Sequence, residues 1–236
     1  MKTRNQIVLC LLVLLVIAGC ASTKVTSRDQ QFTGKLPRPA NIWVHDFAAT
    51  PDDVPKDSTI AGVYSEHPEP QTAEQIETGR KLGAEIASEL IERINKMGMS
   101  AKKAEKGATP QVNDIVIRGY LVSFAEGSKD KRLLIGFGSG ASHLQVAAEG
   151  FQVTPQGLRK LGSGTTDSGG SKTPGAGLGI VALAATHNPA GLIISSGVKI
   201  YDEKTGKSTV EGRAKQTAEE IADVLKKRFQ EQGWID

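Results

Sequence analysis

His45, His67, His143 and His187 are the side chains best suited to proton transfer near neutral pH or to holding a metal. Their spacing serves neither purpose. No pair has the H-E-x-x-H separation of a zinc helix, and His67 and His187 sit beside Pro68 and Asn188-Pro189 as loop residues do. Gly136-x-Gly138-x-x-Ala141 fits the dinucleotide fingerprint in its letters. That loop must open a helix whose N-terminus meets the pyrophosphate, whereas His143 to Val153 reads as a strand. The glycines are expected instead at a tight corner between two strands. Ser139 misses the nucleophile elbow, because Phe137 stands where G-x-S-x-G requires glycine. Glu85, Glu89 and Glu92 alternate with Lys81, Arg93 and Lys96 in the pattern of a solvated helix face. Asp46, at the end of a strand, is the acid to follow. These residues predict no enzyme, no metal and no cofactor.

Cys20 carries the clearest chemistry. Lys2 and Arg4 precede an unbroken apolar run from Ile7 to Ala18, and Gly19-Cys20 follows, the order of a secretory signal peptide. The run is shorter than the roughly 20 residues that cross a bilayer as a helix. The chain has 2 cysteines, and Cys10 lies in the segment that would be removed, so no internal disulfide can form in what remains. Val16-Ile17-Ala18-Gly19-Cys20 resembles the lipobox of bacterial lipoproteins. The resemblance implies cleavage before Cys20 and acylation of its thiol and amine. Ala21 in place of aspartate implies transport onward to the outer membrane, facing the periplasm. Several acyl chains, at ~0.8 kcal/mol per buried CH₂, would anchor the chain stably where one would be marginal.

Stepwise along the chain, 1–19 reads as the signal peptide, 20–40 as the acylated cysteine and a flexible tether, and 41–236 as a single α/β domain. The tether is polar and ends in Leu36-Pro37-Arg38-Pro39. Ile42 to Phe47 reads as a strand, and Thr50 to Pro70 as a surface loop with several prolines. Thr72-Ala73-Glu74-Gln75 is a capping box, after which Ile76, Gly79, Gly83, Ile86, Leu90, Ile94 and Met97 keep helical spacing up to Gly98. Gly79 and Gly83 on that stripe would permit close packing. Asp114 to Phe124 alternates as a long strand, with Ile115, Ile117 and Leu121 on one face and Val116, Tyr120, Val122 and Phe124 on the other. Arg132 to Phe137 and Ser142 to Val153 follow as strands, and Leu158 to Thr166 as an edge strand. Thr217-Ala218-Glu219-Glu220 repeats the capping-box pattern within a helix expected to start near Val210, and Trp234 is expected to pack back on the core. The fold class that results is α/β (α+β): a two-layer sandwich of a mixed sheet with helices on one face.

The segment 162–197 is rich in Gly and Ala and nearly free of charge. Gly175, Gly179 and Leu183, with Ile193 and Ile194 beyond them, are candidate contacts for a partner protein, a second copy or the membrane itself. Pro174 to Ala185 is too short to span a bilayer. Formal charge is +3, and falls to near +1 without Lys2 and Arg4, while aromatics make up 5% of residues. Nucleic acid is therefore not an expected partner.

Val44-His45-Asp46-Phe47, Gly79-Arg80-Lys81-Leu82, Ile117-Arg118-Gly119-Tyr120, Gly136 to Ser142, Gly212-Arg213-Ala214-Lys215 and Gln232-Gly233-Trp234-Ile235 together resemble an uncharacterised family of bacterial lipoproteins, domain of unknown function 4410. That resemblance implies anchoring and fold but no activity. A looser one links the strand ending in Asp46-Phe47 and the long helix after it to periplasmic domains of envelope assembly lipoproteins, such as those of curli secretion. The expected function is that of a non-catalytic binding or assembly module, anchored through Cys20 beneath the outer membrane. The alternatives are a periplasmic carrier of an apolar ligand and an uncharacterised hydrolase. An enclosed apolar cavity would favour the carrier, and convergent polar groups with shifted pKa values an enzyme.

Overall fold

The computed structural model describes residues 23–55, 72–125, 143–169 and 210–236. Strands β1 (Thr23–Gln30), β2 (Ile42–Val44), β3 (Ala101–Lys103), β4 (Ile115–Ala125), β5 (His143–Thr154) and β6 (Gly157–Gly169) form one mixed sheet in the order β1-β6-β5-β4-β2-β3. β2 runs parallel to β3 and β4, and the other pairings are antiparallel. Helix α1 (Ala73–Lys96) joins β2 to β3, and helix α2 (Val210–Gln232) precedes the C-terminus. Both helices pack on one face of the sheet, α1 over β2 to β4 and α2 over β1, β5 and β6. This is the two-layer α+β sandwich the sequence predicts.

Helix α1 begins where its capping box places it. Thr72 Oγ1 accepts from the Gln75 amide at 3.2 Å, and Gln75 Oε1 accepts from the Thr72 amide at 2.8 Å. Its buried stripe of Leu82, Ile86, Leu90 and Ile94 meets Ile42, Val44, Ile115, Ile117 and Leu121 of the sheet. Gly98, at φ +82°, turns the chain out of the helix. Gly83 allows the close approach its position suggests. The Phe47 amide donates to the Gly83 carbonyl at 3.2 Å, and a Cβ on Gly83 would lie 2.0 Å from the Phe47 carbonyl oxygen. On β4, Tyr120 is buried on the sheet face opposite Ile115, Ile117 and Leu121, as alternation requires.

Four features depart from expectation. Residues 23–30 of the expected tether are strand β1, joined to β6 over its length. Most of its side chains are exposed, so it lacks the apolar alternation that marks a half-buried strand. What fixes it is the ladder together with hydroxyl contacts, Thr26 Oγ1 and Ser27 Oγ lying 2.8 and 2.6 Å from Thr165 Oγ1. As a consequence β6 is an interior strand rather than an edge, and the first residues of the Gly/Ala-rich segment, 162–169, belong to it. Helix α2 is already under way by Thr217, which is fully buried rather than a cap. Glu85 is half-buried instead of lying on a wet face, and loss of solvent raises its pKa, with Glu211 adding to the shift and Lys215 opposing it.

Candidate functional site

The face of the sheet beneath α2 is short of side chains. Strand register aligns Gln30, Gly162, Gly150 and Ile117 in one row and Arg28, Gly164, Ala148 and Gly119 in the next. Antiparallel partners share a face, so the four inner positions of these rows form a floor of Gly162, Gly150, Gly164 and Ala148. Helix α2 spans that floor with Ile221, Leu225 and Phe229, while Leu36 and Trp234 line one end. The result is an apolar groove of about 190 Å³ between helix and sheet. An engineered apolar cavity of about 150 Å³ takes up benzene, so the space is large enough for an apolar ligand of at least that size. A Cβ on Gly150 would meet nothing within 4 Å.

The ends of the groove are built firmly. Trp234 packs on the core as expected, its ring centroid 5.6 Å from that of Phe229 and its Nε1 donating to the Leu36 carbonyl at 3.2 Å. Along the β1 rim, Arg228 of α2 donates to Gln30 Oε1 and pairs with Glu231 at 2.5 Å. Val25 is 39% exposed on this rim, and the exposed Arg28 lies beside it.

A second pocket of about 310 Å³ is polar and is lined by His45, Asp46, Asp53, Arg80, Arg118 and Tyr120 among others. Asp53 stands on a single 3-10 turn (Pro51–Asp53), where Arg80 Nη2 and Nε reach its carboxylate at 2.8 to 3.1 Å. Burial alone would raise the Asp53 pKa, but hydrogen bonds from Arg80 and Thr50 and the Arg80 charge outweigh it and hold the carboxyl below its usual range. Asp46 is half-exposed and pairs with Lys103 at 2.8 Å. Deeper in the sheet, Glu149 accepts from Tyr120 Oη at 3.1 Å and from Lys160 Nζ at 2.6 Å. None of the described residues lining the polar pocket is Ser, Thr or Cys. Among the described residues no group of three or more His, Cys, Asp or Glu could hold a metal ion, and no helix is long and apolar enough to cross a membrane.

Cys20, Gly175, Gly179, Leu183, Ile193 and Ile194 lie outside the described residues, as do His67, His187, Ser139 and the Gly136 to Ala141 run. Position 143, two residues beyond that run, opens strand β5 and not a helix. Sequence reading missed the glycine floor and Arg28. The signal lay in small residues at every second position, Ala148 and Gly150 in one strand and Gly162 and Gly164 in the next, but only strand register shows that they adjoin.

Residues 42–188 match a family model described as Domain of unknown function (DUF4410). The groove takes its rim strand β1 and its roof α2 from outside those residues. No curated protein matches the chain. Among solved structures, a PelC dodecamer from Paraburkholderia phytofirmans is 15% identical over 62% of this chain and 86% of that one, with a TM-score of 0.34. A variant of that PelC dodecamer from the same organism is 14% identical over 72% of this chain and 98% of that one, with a TM-score of 0.33.

Proposed function

We propose, for a chain that belongs to the DUF4410 family, the role of a non-catalytic binding module that holds an apolar ligand between α2 and the sheet. In this reading the module is a lipoprotein anchored by acyl chains on Cys20 at the periplasmic face of the outer membrane. The glycine floor under α2 carries the proposal. A bulky residue at Gly150 would close the space and add buried apolar surface, so the missing side chain there gives up stability that an ordinary core would gain, whereas Gly162 lets β1 approach, a Cβ there lying 2.5 Å from the Asp29 carbonyl oxygen. Support for the anchor is the apolar run from Ile7 to Ala18 ending at Cys20. The polar pocket offers less to a hydrolase reading. An ionised Asp53 locked to Arg80 is a weak base and donates no proton near neutral pH.

The test is binding of a neutral naphthylamine fluorophore to the mature protein and to Gly150→Leu. A Cβ on Gly150 meets no neighbouring atom within 4 Å, so circular dichroism is expected to be unchanged while affinity falls at least about tenfold, a loss of ~1.4 kcal/mol. Equal affinity in the two proteins refutes the groove as the site. Fractionation of Cys20→Ala tests the anchor separately: the variant is expected in the soluble periplasmic fraction, and retention in the membrane refutes acylation as the tether.

A further inference from the structure

Resting on the apolar-groove reading, we infer that the ligand is a single-chain anionic amphiphile, its alkyl chain under α2 and its headgroup on Arg28. Two adjacent rows of the sheet carry glycine at three inner positions and alanine at the fourth, which leaves an apolar space of about 190 Å³ under α2 for an alkyl chain. Charge at the mouth then selects the head. Arg28 shares the groove's face through its pairing with Gly164 and is exposed, and its side chain makes no hydrogen bond or ion pair among the described residues. The other charges along this rim are engaged. Arg228 is held by Gln30 and Glu231, and Asp29 accepts from Gln31 Nε2 at 3.1 Å. A cation left available at the lip of an apolar groove, beside the exposed Val25, complements an anionic head on an apolar tail. The guanidinium fork matches a carboxylate in two parallel hydrogen bonds.

The experiment measures displacement of the same neutral fluorophore from the mature protein by a sixteen-carbon carboxylate and by the alcohol of equal chain length. The carboxylate is expected to bind at least about tenfold more tightly, and Arg28→Gln to remove that preference while leaving alcohol affinity unchanged. Arg28→Lys is expected to keep most of it, because the charge remains. Equal affinity for acid and alcohol in the wild type, or a preference that Arg28→Gln does not move, overturns the inference while leaving the groove in place. Failure of the fluorophore itself to bind defeats the groove reading and this one together. Size-exclusion chromatography of the wild type and Gly150→Leu closes the remaining route: a dimer that Gly150→Leu converts to monomer makes a second copy the occupant and overturns the amphiphile.

Discussion

At the scale of single residues, one phenylalanine is fitted against two missing side chains. The Phe47 ring lies 2.1 Å from where a Gly119 Cβ would be, and its carbonyl oxygen 2.0 Å from the corresponding atom of Gly83. Gly83→Ala therefore meets backbone, which cannot rotate away, and is expected to cost ~3 kcal/mol in chemical denaturation. A second prediction concerns Asp53. Its folded pKa lies below the unfolded value of about 3.9, so the stabilisation from its pairing is complete above that value and disappears as pH falls through the folded one. Asp53→Asn is expected to lower the melting temperature at neutral pH, with the gap to wild type closing in acid. Gly83 was legible from helical spacing, whereas Asp53–Arg80 was not. Its partners are 27 positions apart, and only the turn at Pro51–Asp53 brings them together.

Elements were legible in proportion to how much apolar surface they bury. α1, β4 and β5 each present a periodic stripe, and their bounds follow from it to within a residue or two. β1 and the three residues of β3 have no such stripe and are held by their neighbours' ladders. Thr217 is a different kind of miss. The Thr-x-x-Glu pattern that opens many helices sits here inside one, where Ala214, Ala218 and Ala222 make the buried face small enough for α1 and α2 to lie close. The two readings predict opposite signs. The buried Thr217 hydroxyl has no hydrogen-bond partner among the described residues, so Thr217→Val is expected to be neutral or to stabilise by up to ~1 kcal/mol. Loss of a true N-cap would cost ~1 kcal/mol. Thermal unfolding separates the two.

For the molecule as a whole, β1 decides whether the N-terminal stretch is a spacer or part of the fold. Removal of residues up to Gln30 would strip β6 of one of its two partners, expose an unpaired ladder and delete the groove's outer rim. The shortened protein is expected to melt several degrees lower, to scatter light at concentrations where the full mature chain does not, and to lose the neutral fluorophore. A spacer could be removed with none of these effects.

The place of β1 also sets the length of the leash. Cys20 precedes Thr23 by three residues, which fully stretched reach about 10 Å. An acylated Cys20 would therefore hold the head of the sheet almost against the lipid, like a boat moored on a short line. Such a body would swivel and skim along the leaflet that held it, with the start of its edge strand kept within about 10 Å of the headgroup layer. Whatever it collected would come to that layer, and whatever it delivered would be handed over there.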